Sequence, residues 1–331
     1  YLNNQYIISI YCDINDNVWC LNSNEEILVK QKNEKKFKKP GFIENHLNYY
    51  GQERASLIFF EDRKNRMWLV GNGLYQINFK ERTIVKNNVC SQIQSASSIE
   101  EDKSGNFWIT GNNDKLIVIN PDRLTCHHYH SDINDPYSLN SNILWDAHID
   151  GYNNLWIATN KGINKTKIKD YIIGDQLNFE SFKLKDGLND EIVFRIIEDN
   201  SNNLWFATNN GLSKMVDNHE SLRDESGLAH EFINYSKFDG LASGSIGCFT
   251  DNKITCLCGT KLTNGEILLG SNNGITKFDP KYFTGDNYHP PLYITDLKIF
   301  NKTVPIGKYQ NRTILSKSVE ISNDIQLSYK D

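Results

Sequence analysis

Short apolar runs separated by polar turns recur along this chain. β-branched, aromatic and aliphatic side chains are concentrated in four neighbouring runs, residues 192–197, 204–208, 212–215 and 232–235. This composition is typical of buried β-strands. The first two runs are separated by Asp199-Asn200-Ser201-Asn202, whose residue types favour tight turns. The pattern predicts one sheet of four antiparallel strands.

The second strand of this sheet belongs to a segment that is repeated along the chain. Its copies place an Asp six residues before a Trp, at residues 13–22, 62–71, 102–111, 150–159 and 199–208. A sixth copy, residues 262–271, keeps the register but lacks the Asp and the Trp. The steps of about 40 to 63 residues lie in or above the length of a propeller blade. Such units bury their faces only by stacking, so the sequence predicts an all-β fold, a β-propeller of four-stranded blades with six repeats visible.

A domain boundary is predicted after the last repeat, because Pro290 and Pro291 favour an extended linker. We place the propeller at residues 1–288 and a second domain at residues 289–331. Apolar and polar residues then alternate in three runs that predict further strands, residues 292–300, 319–321 and 325–329. About 40 residues are too few for a complete β-sandwich, so we expect a partial sandwich that is cut off at Asp331.

Composition excludes several classes of function. The chain has 331 residues and a formal charge of -5, which argues against a nucleic-acid partner. No apolar run approaches the roughly 18 to 20 residues that cross a bilayer. The sequence contains no glycine-rich phosphate loop, no nucleophile elbow and no paired His motif for metal hydrolysis. We therefore expect this chain not to be an enzyme by itself.

The seven cysteines match no zinc spacing, and we expect them to be reduced and mostly buried as small apolar residues. Cys126, His128 and His130 alternate, so a strand would place them on one face, where they could bind zinc. That strand is an outer one, and only Asp132 is a nearby candidate for a fourth ligand. We expect neither a metal site nor a cofactor.

The repeated Asp residues are expected to serve the scaffold, since a residue type present in nearly every blade supports the turn. Ligand-binding residues are sought instead at the opposite face, where the entry to each first strand lies. Eight and four residues before the repeat Asp, the residues are mixed, largely polar and vary between blades. The candidates for a ligand-binding mouth are Arg54, Gln94, Asn142, Asp146, Glu191 and Arg195. The alternative is that they are solvated loop residues. Trp145 is expected in the core, because other blades have apolar residues in its place.

Several segments resemble the propeller repeat of two-component regulators. They are residues 131–163 and 185–212, which share Asn-Asn-Leu-Trp and the turns around it. Residues 265–280 followed by 291–304 resemble a last blade that runs into a triple-tyrosine domain. This order is typical of the periplasmic sensor region of hybrid two-component systems in Bacteroidetes. The resemblance implies a parent ring of seven blades, whereas six repeats are visible here, and the sequence leaves open whether this ring closes with six blades or with seven.

The resemblance also implies a function. It implies an extracytoplasmic domain of a hybrid histidine kinase that binds a glycan fragment, an oligosaccharide, and regulates polysaccharide-utilisation genes. The expected location is periplasmic, in a protein anchored in the inner membrane that acts as a homodimer. The alternatives are a propeller enzyme, such as a polysaccharide lyase or glycosidase, and a protein-interaction scaffold. An enzyme would need a cluster of strongly coupled ionisable groups at the mouth.

Overall fold

The computed structural model describes the chain at residues 7–22, 26–42, 57–71, 73–90, 93, 96–111, 115–217, 230–250, 253–256, 259–283, 296–309, 312–319, 325 and 327. The chain divides into two units, residues 1–283 and 284–331. The predicted boundary between residues 288 and 289 falls in 284–295, outside the described residues, and stays a prediction.

The first two blades are antiparallel sheets numbered outward from the first strand. Blade 1 contains β1 (Ile7–Cys12), β2 (Val18–Asn22) and β3 (Ile27–Lys30). Lys38 pairs with Val29 of β3 at the position of a fourth strand. Blade 2 has all four strands, β4 (Ile58–Glu61), β5 (Met67–Gly71), β6 (Gly73–Asn78) and β7 (Thr83–Asn87).

The next three blades are complete four-stranded sheets. Blade 3 contains β8 (Ala96–Glu101), β9 (Phe107–Gly111), β10 (Leu116–Asn120) and β11 (Thr125–Tyr129). Blade 4 contains β12 (Leu144–Ile149), β13 (Asn154–Thr159), β14 (Gly162–Lys167) and β15 (Glu180–Phe182). Blade 5 contains β16 (Val193–Glu198), β17 (Leu204–Thr208), β18 (Gly211–Asp217) and β19 (His230–Tyr235). The predicted strands of blade 5 are confirmed, with bounds that differ by one or two residues.

The sixth blade completes the ring. A hairpin of β20 (Cys248–Thr250) and β21 (Lys253–Cys256) precedes the sheet of β22 (Gly259–Lys261), β23 (Ile267–Ser271) and β24 (Gly274–Phe278). The first strands contact one another in chain order from β1 to β22, and β21 contacts β1. The predicted propeller is confirmed, and the described residues form six blades.

Five buried apolar clusters join the blades that follow one another along the chain, from blades 1 and 2 to blades 5 and 6. The repeat Trp of each blade packs in the seam toward the following blade, and Trp68, Trp108 and Trp205 are almost fully buried. In all five copies the indole Nε1 donates to Oδ2 of the repeat Asp at 2.8–3.0 Å. The other oxygen of each Asp accepts two backbone amides of its turn, as Asp102 does from Ser104 and Asn106. The repeat Asp therefore fixes both the turn and the core Trp, which explains its recurrence.

The second unit shows two short hairpins in its described part. They are β25 (Lys298–Ile299) with β26 (Lys302–Thr303), and β27 (Gly307–Tyr309) with β28 (Arg312–Leu315). Phe300 and Asn301 have positive φ, which ends the predicted strand 292–300 in a tight turn after Ile299. Val319 lies in a 3₁₀ turn rather than in the predicted strand. Most residues of the two later predicted strands lie outside the described residues.

No helix among the described residues has the length and apolar character of a membrane span.

Candidate functional site

The two ends of the ring are built from different connections. One end carries the Asp turns between the first and second strands. The other end, here called the lead-in end, carries the connections that precede the first strands (residues 130–143, 183–192 and 236–247) and the turns between second and third strands. The two kinds of segment are joined there, since Asn140 Nδ2 donates to the Lys161 carbonyl at 3.0 Å and Ser245 Oγ donates to Asn209 Oδ1 at 3.2 Å. The lead-in end is therefore a fixed surface of irregular loops, the kind of surface that presents ligand-binding residues.

First strands bend where they meet the lead-in end. The pairing register shifts between Ala96 and Ser98, between Leu144 and Asp146, and between Val193 and Arg195, and a similar shift occurs in β1. Each shift inserts one extra residue, a β-bulge. The simple alternation that grouped the candidate residues into one face is therefore interrupted at this point, which sequence spacing did not reveal.

The structure places four of the six candidate residues, because Arg54 and Gln94 lie outside the described residues. Asn142 and Glu191 lie in the connections before β12 and β16 and are half-buried. Asp146 and Arg195 lie within β12 and β16. All four belong to the lead-in halves of blades 4 and 5.

Asp146 and Arg195 are bonded to each other across the seam between blades 4 and 5. Arg195 Nη1 donates to Asp146 Oδ1 at 3.0 Å, and the amide of Ile196 donates to Asp146 Oδ2 at 2.8 Å. Arg195 Nε also donates to the carbonyl of Gly259 in blade 6 at 3.2 Å. The Asp146 side chain is 1% exposed and the Arg195 side chain 30% exposed. The pair thus connects the first strands of three consecutive blades and leaves only the guanidinium partly open to solvent.

Trp145 is the extra residue of the bulge in β12. Its ring is half-buried and lies 6.2 Å, centroid to centroid, from Phe194, the extra residue of the bulge in β16. The indole Nε1 is buried and has no hydrogen-bond partner among the described residues. Trp145 is therefore only partly the core residue expected from the sequence, because its polar atom is not satisfied as a core indole usually is.

Asn142 and Glu191 lie in the connections that lead into β12 and β16, three residues before Trp145 and Phe194. Asn142 Oδ1 accepts the amide of Ser131 at 2.6 Å, which fixes the long connection before blade 4. The carbonyl of Glu191 accepts the amide of Gly162 at 2.6 Å, which joins blade 5 to the turn of blade 4. The connections that carry Asn142 and Glu191 are thus held in place by hydrogen bonds between segments.

A second charged cluster lies toward the Asp-turn end. His148 Nε2 lies 3.1 Å from Glu198 Oε2, and His148 Nδ1 lies 3.8 Å from Glu100 Oε1. Burial by itself would lower the pKa of His148, but the two carboxylates outweigh it and raise the pKa to about 9. These residues precede the repeat Asp by one or two positions in blades 3, 4 and 5. That common register was a signal in the sequence that they would meet.

Glutamates in the position before the repeat Asp join successive blades. Glu61 Oε2 accepts the Ile14 amide at 2.8 Å, Glu101 Oε2 accepts the Arg63 amide at 2.7 Å, and Glu198 Oε1 accepts the Gly151 amide at 3.3 Å. Each bond runs from the first strand of one blade to the Asp turn of the preceding blade. The ionisable groups of this end therefore hold the scaffold together, and coupled carboxylates are not by themselves evidence of catalysis here.

A cleft of about 320 Å³ lies between blades 1 and 2 at the Asp-turn end. Its walls include the amide side chains of Asn15, Asn65 and Asn78. Phe79 also lines it, is 39% exposed and packs on Trp19 with ring centroids 4.7 Å apart. The sequence did not single out this cleft.

The expectation that all cysteines are reduced is wrong for one pair. Cys90, after β7, forms a disulfide with Cys126 of β11, so the bond joins blades 2 and 3. The pairing was missed because 36 residues separate the two cysteines and only the stacking of blades brings them together. His128 follows on the same face, and burial lowers its pKa. The prediction that Cys126, His128 and His130 share one face of a strand is partly corrected. β11 ends at Tyr129, before His130, and the third residue that lies beside Cys126 and His128 is Cys90.

Comparison with known proteins identifies the repeat. Residues 187–210 match the family described as the two component regulator propeller. The resemblance to two-component regulator propellers is confirmed. The matched residues run from the connection at the lead-in end of blade 5 through β16, the Asp turn and β17 to the turn that follows β17.

This chain is similar to solved structures of an extracellular domain and of an enzyme. The extracellular domain of the putative hybrid two component system BT3049 from B. thetaiotaomicron has a TM-score of 0.65 and 19% identity, over 91% of this chain and 38% of that chain. Virginiamycin B lyase from Staphylococcus aureus has a TM-score of 0.51 and 16% identity, over 82% of this chain and 83% of that chain. At these identities both likenesses show the propeller fold alone.

A curated relative is similar in sequence to part of this chain. "Histidine kinase P4" of Formosa agariphila is 24% identical over 229 residues, which are 59% of this chain and 16% of the relative. The chain thus spans about one sixth of the length of the curated relative that it matches.

Proposed function

We propose that this chain is a ligand-sensing part of the extracytoplasmic region of a hybrid two-component histidine kinase. The observation that carries the proposal is the regulator-propeller repeat at residues 187–210, within a ring in which four other blades repeat the same Asp and Trp. The solved domain of BT3049 is described as extracellular and as part of a hybrid two component system, which supports the same role and location for this chain. The ligand class proposed is a glycan fragment, and the proposed consequence is regulation of polysaccharide-utilisation genes.

The lead-in end of blades 4 and 5 is the proposed binding surface. A sugar ring needs hydrogen-bonding groups around its hydroxyls and a flat apolar face against its C–H surface. Asn142 and Glu191 supply the polar groups, and the half-buried ring of Trp145 supplies an aromatic face.

Asp146 and Arg195 have a different place in this proposal. Both Asp146 oxygens already accept hydrogen bonds from the protein, so Asp146 supports the surface rather than contacting a sugar. The partly exposed Arg195 guanidinium remains a candidate donor to a ligand hydroxyl or carboxylate.

Calorimetric titration of the chain against neutral and acidic oligosaccharides tests the proposal, with mass spectrometry of the sugars after each titration. We expect saturable heat with one class of sugar and no change in the mass of that sugar. Shortened or unsaturated sugars would contradict the sensor and favour a propeller enzyme. Absence of heat with every sugar would contradict the assignment of a glycan site to this chain.

Variants locate the site once a sugar is found. We expect Glu191→Ala and Trp145→Ala each to weaken binding by about tenfold, since the first removes a hydrogen-bonding carboxylate and the second removes the aromatic face. Glu180→Ala is the matched control, because Glu180 is an exposed carboxylate on the outer strand β15. Equal affinities for all three variants would place the sugar elsewhere.

A further inference from the structure

The side chains of Cys90, Cys126 and His128 converge at the junction of blades 2 and 3. Cys126 and His128 are two residues apart on β11, so they lie on the same face of that outer strand. Cys90 reaches them from the segment that follows β7. His128 Nε2 lies 3.5 Å from Cys90 Sγ and 3.6 Å from Cys126 Sγ. Two sulfurs and one imidazole nitrogen therefore face a common point.

These separations are those that a tetrahedral zinc ion requires. Zinc binds Cys sulfur at about 2.3 Å and His nitrogen at about 2.0–2.1 Å, so the two ligand atoms lie about 3.6 Å apart at a tetrahedral angle. Both nitrogen-to-sulfur distances agree with that value. Only the two sulfurs, which are bonded to each other in this structure, would need to separate to about 3.8 Å. We propose that Cys90, Cys126 and His128 bind Zn²⁺ when the disulfide is reduced, so that this junction has an oxidised cross-linked form and a reduced metal-binding form.

The chemistry of the two forms balances. A trialkylphosphine breaks the S–S bond, takes the oxygen of one water molecule to become a phosphine oxide, and leaves two thiols. Each sulfur gains one electron and one proton. Zn²⁺ then displaces both thiol protons to solvent and accepts lone pairs from the two thiolates and from His128 Nε2.

The site provides three ligands rather than four. Within the part of the chain that the structure describes, no other His, Cys or carboxylate joins this group. The fourth position of the tetrahedron is thus left to a water molecule, as in zinc sites with three protein ligands. His128 Nδ1 is buried without a partner among the described residues, although a ligating His usually donates from its second nitrogen. We therefore expect weaker binding than at a structural site with four protein ligands.

Metal binding by the intact chain tests the proposal directly. The chain is reduced with a trialkylphosphine, desalted without oxygen, and titrated with Co²⁺ and with Zn²⁺ in competition with a coloured chelator. We expect one equivalent of Co²⁺ with thiolate-to-cobalt charge-transfer absorption, displaced by Zn²⁺, and no such absorption from the oxidised chain. A reduced chain that shows no thiolate-bound Co²⁺ would overturn the proposal and leave Cys90 and Cys126 as a disulfide pair only.

Variants and a matched control assign the ligands. Mutation of residues that only hydrogen-bond to metal ligands weakens metal affinity by roughly 10–100-fold. We therefore expect Cys90→Ser and His128→Gln, which remove ligands, to weaken the affinity for Zn²⁺ by about 100-fold or more. His127→Gln is the control, since His127 is next along the strand and its ring packs against Tyr129 instead. Equal loss in His127→Gln and His128→Gln would overturn the assignment of His128.

A measurement on the unaltered protein covers the case in which a variant fails to fold. Alkylation of the reduced chain, read by mass spectrometry at each cysteine, should slow at Cys90 and Cys126 when Zn²⁺ is added, while Cys12, which is exposed and outside the disulfide, should react as before. Slowing at Cys12 alone, or at no cysteine, would contradict the site.

Discussion

Arg195 Nη1 lies 3.0 Å from Asp146 Oδ1, and this ion pair joins the first strands of blades 4 and 5. The carboxylate is almost completely buried, while the guanidinium is partly exposed. A buried carboxylate without its cation is costly, because the interior does not solvate its charge. The pair is therefore as much a structural bond between blades as a candidate for ligand recognition.

The first prediction concerns this pair. Arg195→Ala leaves Asp146 with only the Ile196 amide, and we expect the free energy of unfolding to fall by about 2–3 kcal/mol. Urea denaturation followed by Trp fluorescence measures the change. Arg123→Ala is the matched control, since Arg123 is exposed, and it should remain within about 0.5 kcal/mol of the parent. Similar stability of both variants would show that the pair contributes nothing to the seam.

A second prediction compares two glycines with the same backbone angle. Gly162 and Gly174 both have φ of 102°, but a Cβ on Gly162 would collide with the carbonyl oxygen of Phe182, whereas a Cβ on Gly174 would have no heavy atom within 4 Å. We expect Gly174→Ala to cost about 1–2 kcal/mol through the left-handed angle alone. Gly162→Ala should cost at least about 2 kcal/mol more, because the turn at the lead-in end must also shift. Equal costs by urea denaturation would contradict the close packing of this turn.

A third prediction concerns pH. The pKa of His148 is raised to about 9 in the folded chain, above its usual 6.5. Its stabilising effect is therefore complete below about pH 6.5 and is lost as the pH rises through 9. We expect the loss of this effect to lower the free energy of unfolding by up to about 3 kcal/mol between about pH 6.5 and pH 9. Denaturation of the parent and of His148→Gln at several pH values checks this, and parallel curves for the two proteins would refute it.

The fourth prediction tests the role of the repeat Asp. Asp199 accepts the Trp205 indole and the amides of Ser201 and Asn203, so Asp199→Ala leaves several buried donors unsatisfied. We expect a loss of about 3–5 kcal/mol in the free energy of unfolding. The exposed Glu180→Ala serves again as control. A small effect would mean that the turn and Trp205 are held by packing alone.

The fold was predictable because its signals are local and repeated. The repeat Asp and the Trp six residues later are hydrogen-bonded within one blade, as at Trp108 and Trp156. The same spacing therefore recurs from blade to blade and indicates a propeller. The strand that contains Trp205 was correctly bounded for the same reason.

The candidate site was only partly predictable, because its geometry depends on bulges and on neighbouring blades. Counting residues placed Asp146 at the mouth, but the bulge at Trp145 and the bond to Arg195 turn its carboxylate into an internal partner. The disulfide between Cys90 and Cys126 depends on contact between two blades, and no local spacing encodes such a contact.

The hydrogen bonds between glutamates of one blade and the Asp turn of the preceding blade bear on how such a ring can grow. Blade 2 takes part in two of these bonds. Glu61 accepts the Ile14 amide of blade 1, and the Arg63 amide donates to Glu101 of blade 3. A duplicated blade of this kind therefore carries both the glutamate acceptor and the amide donor. It can be inserted between two existing blades and form one such bond to each of them. Gene duplication could lengthen this ring without inventing a new interface.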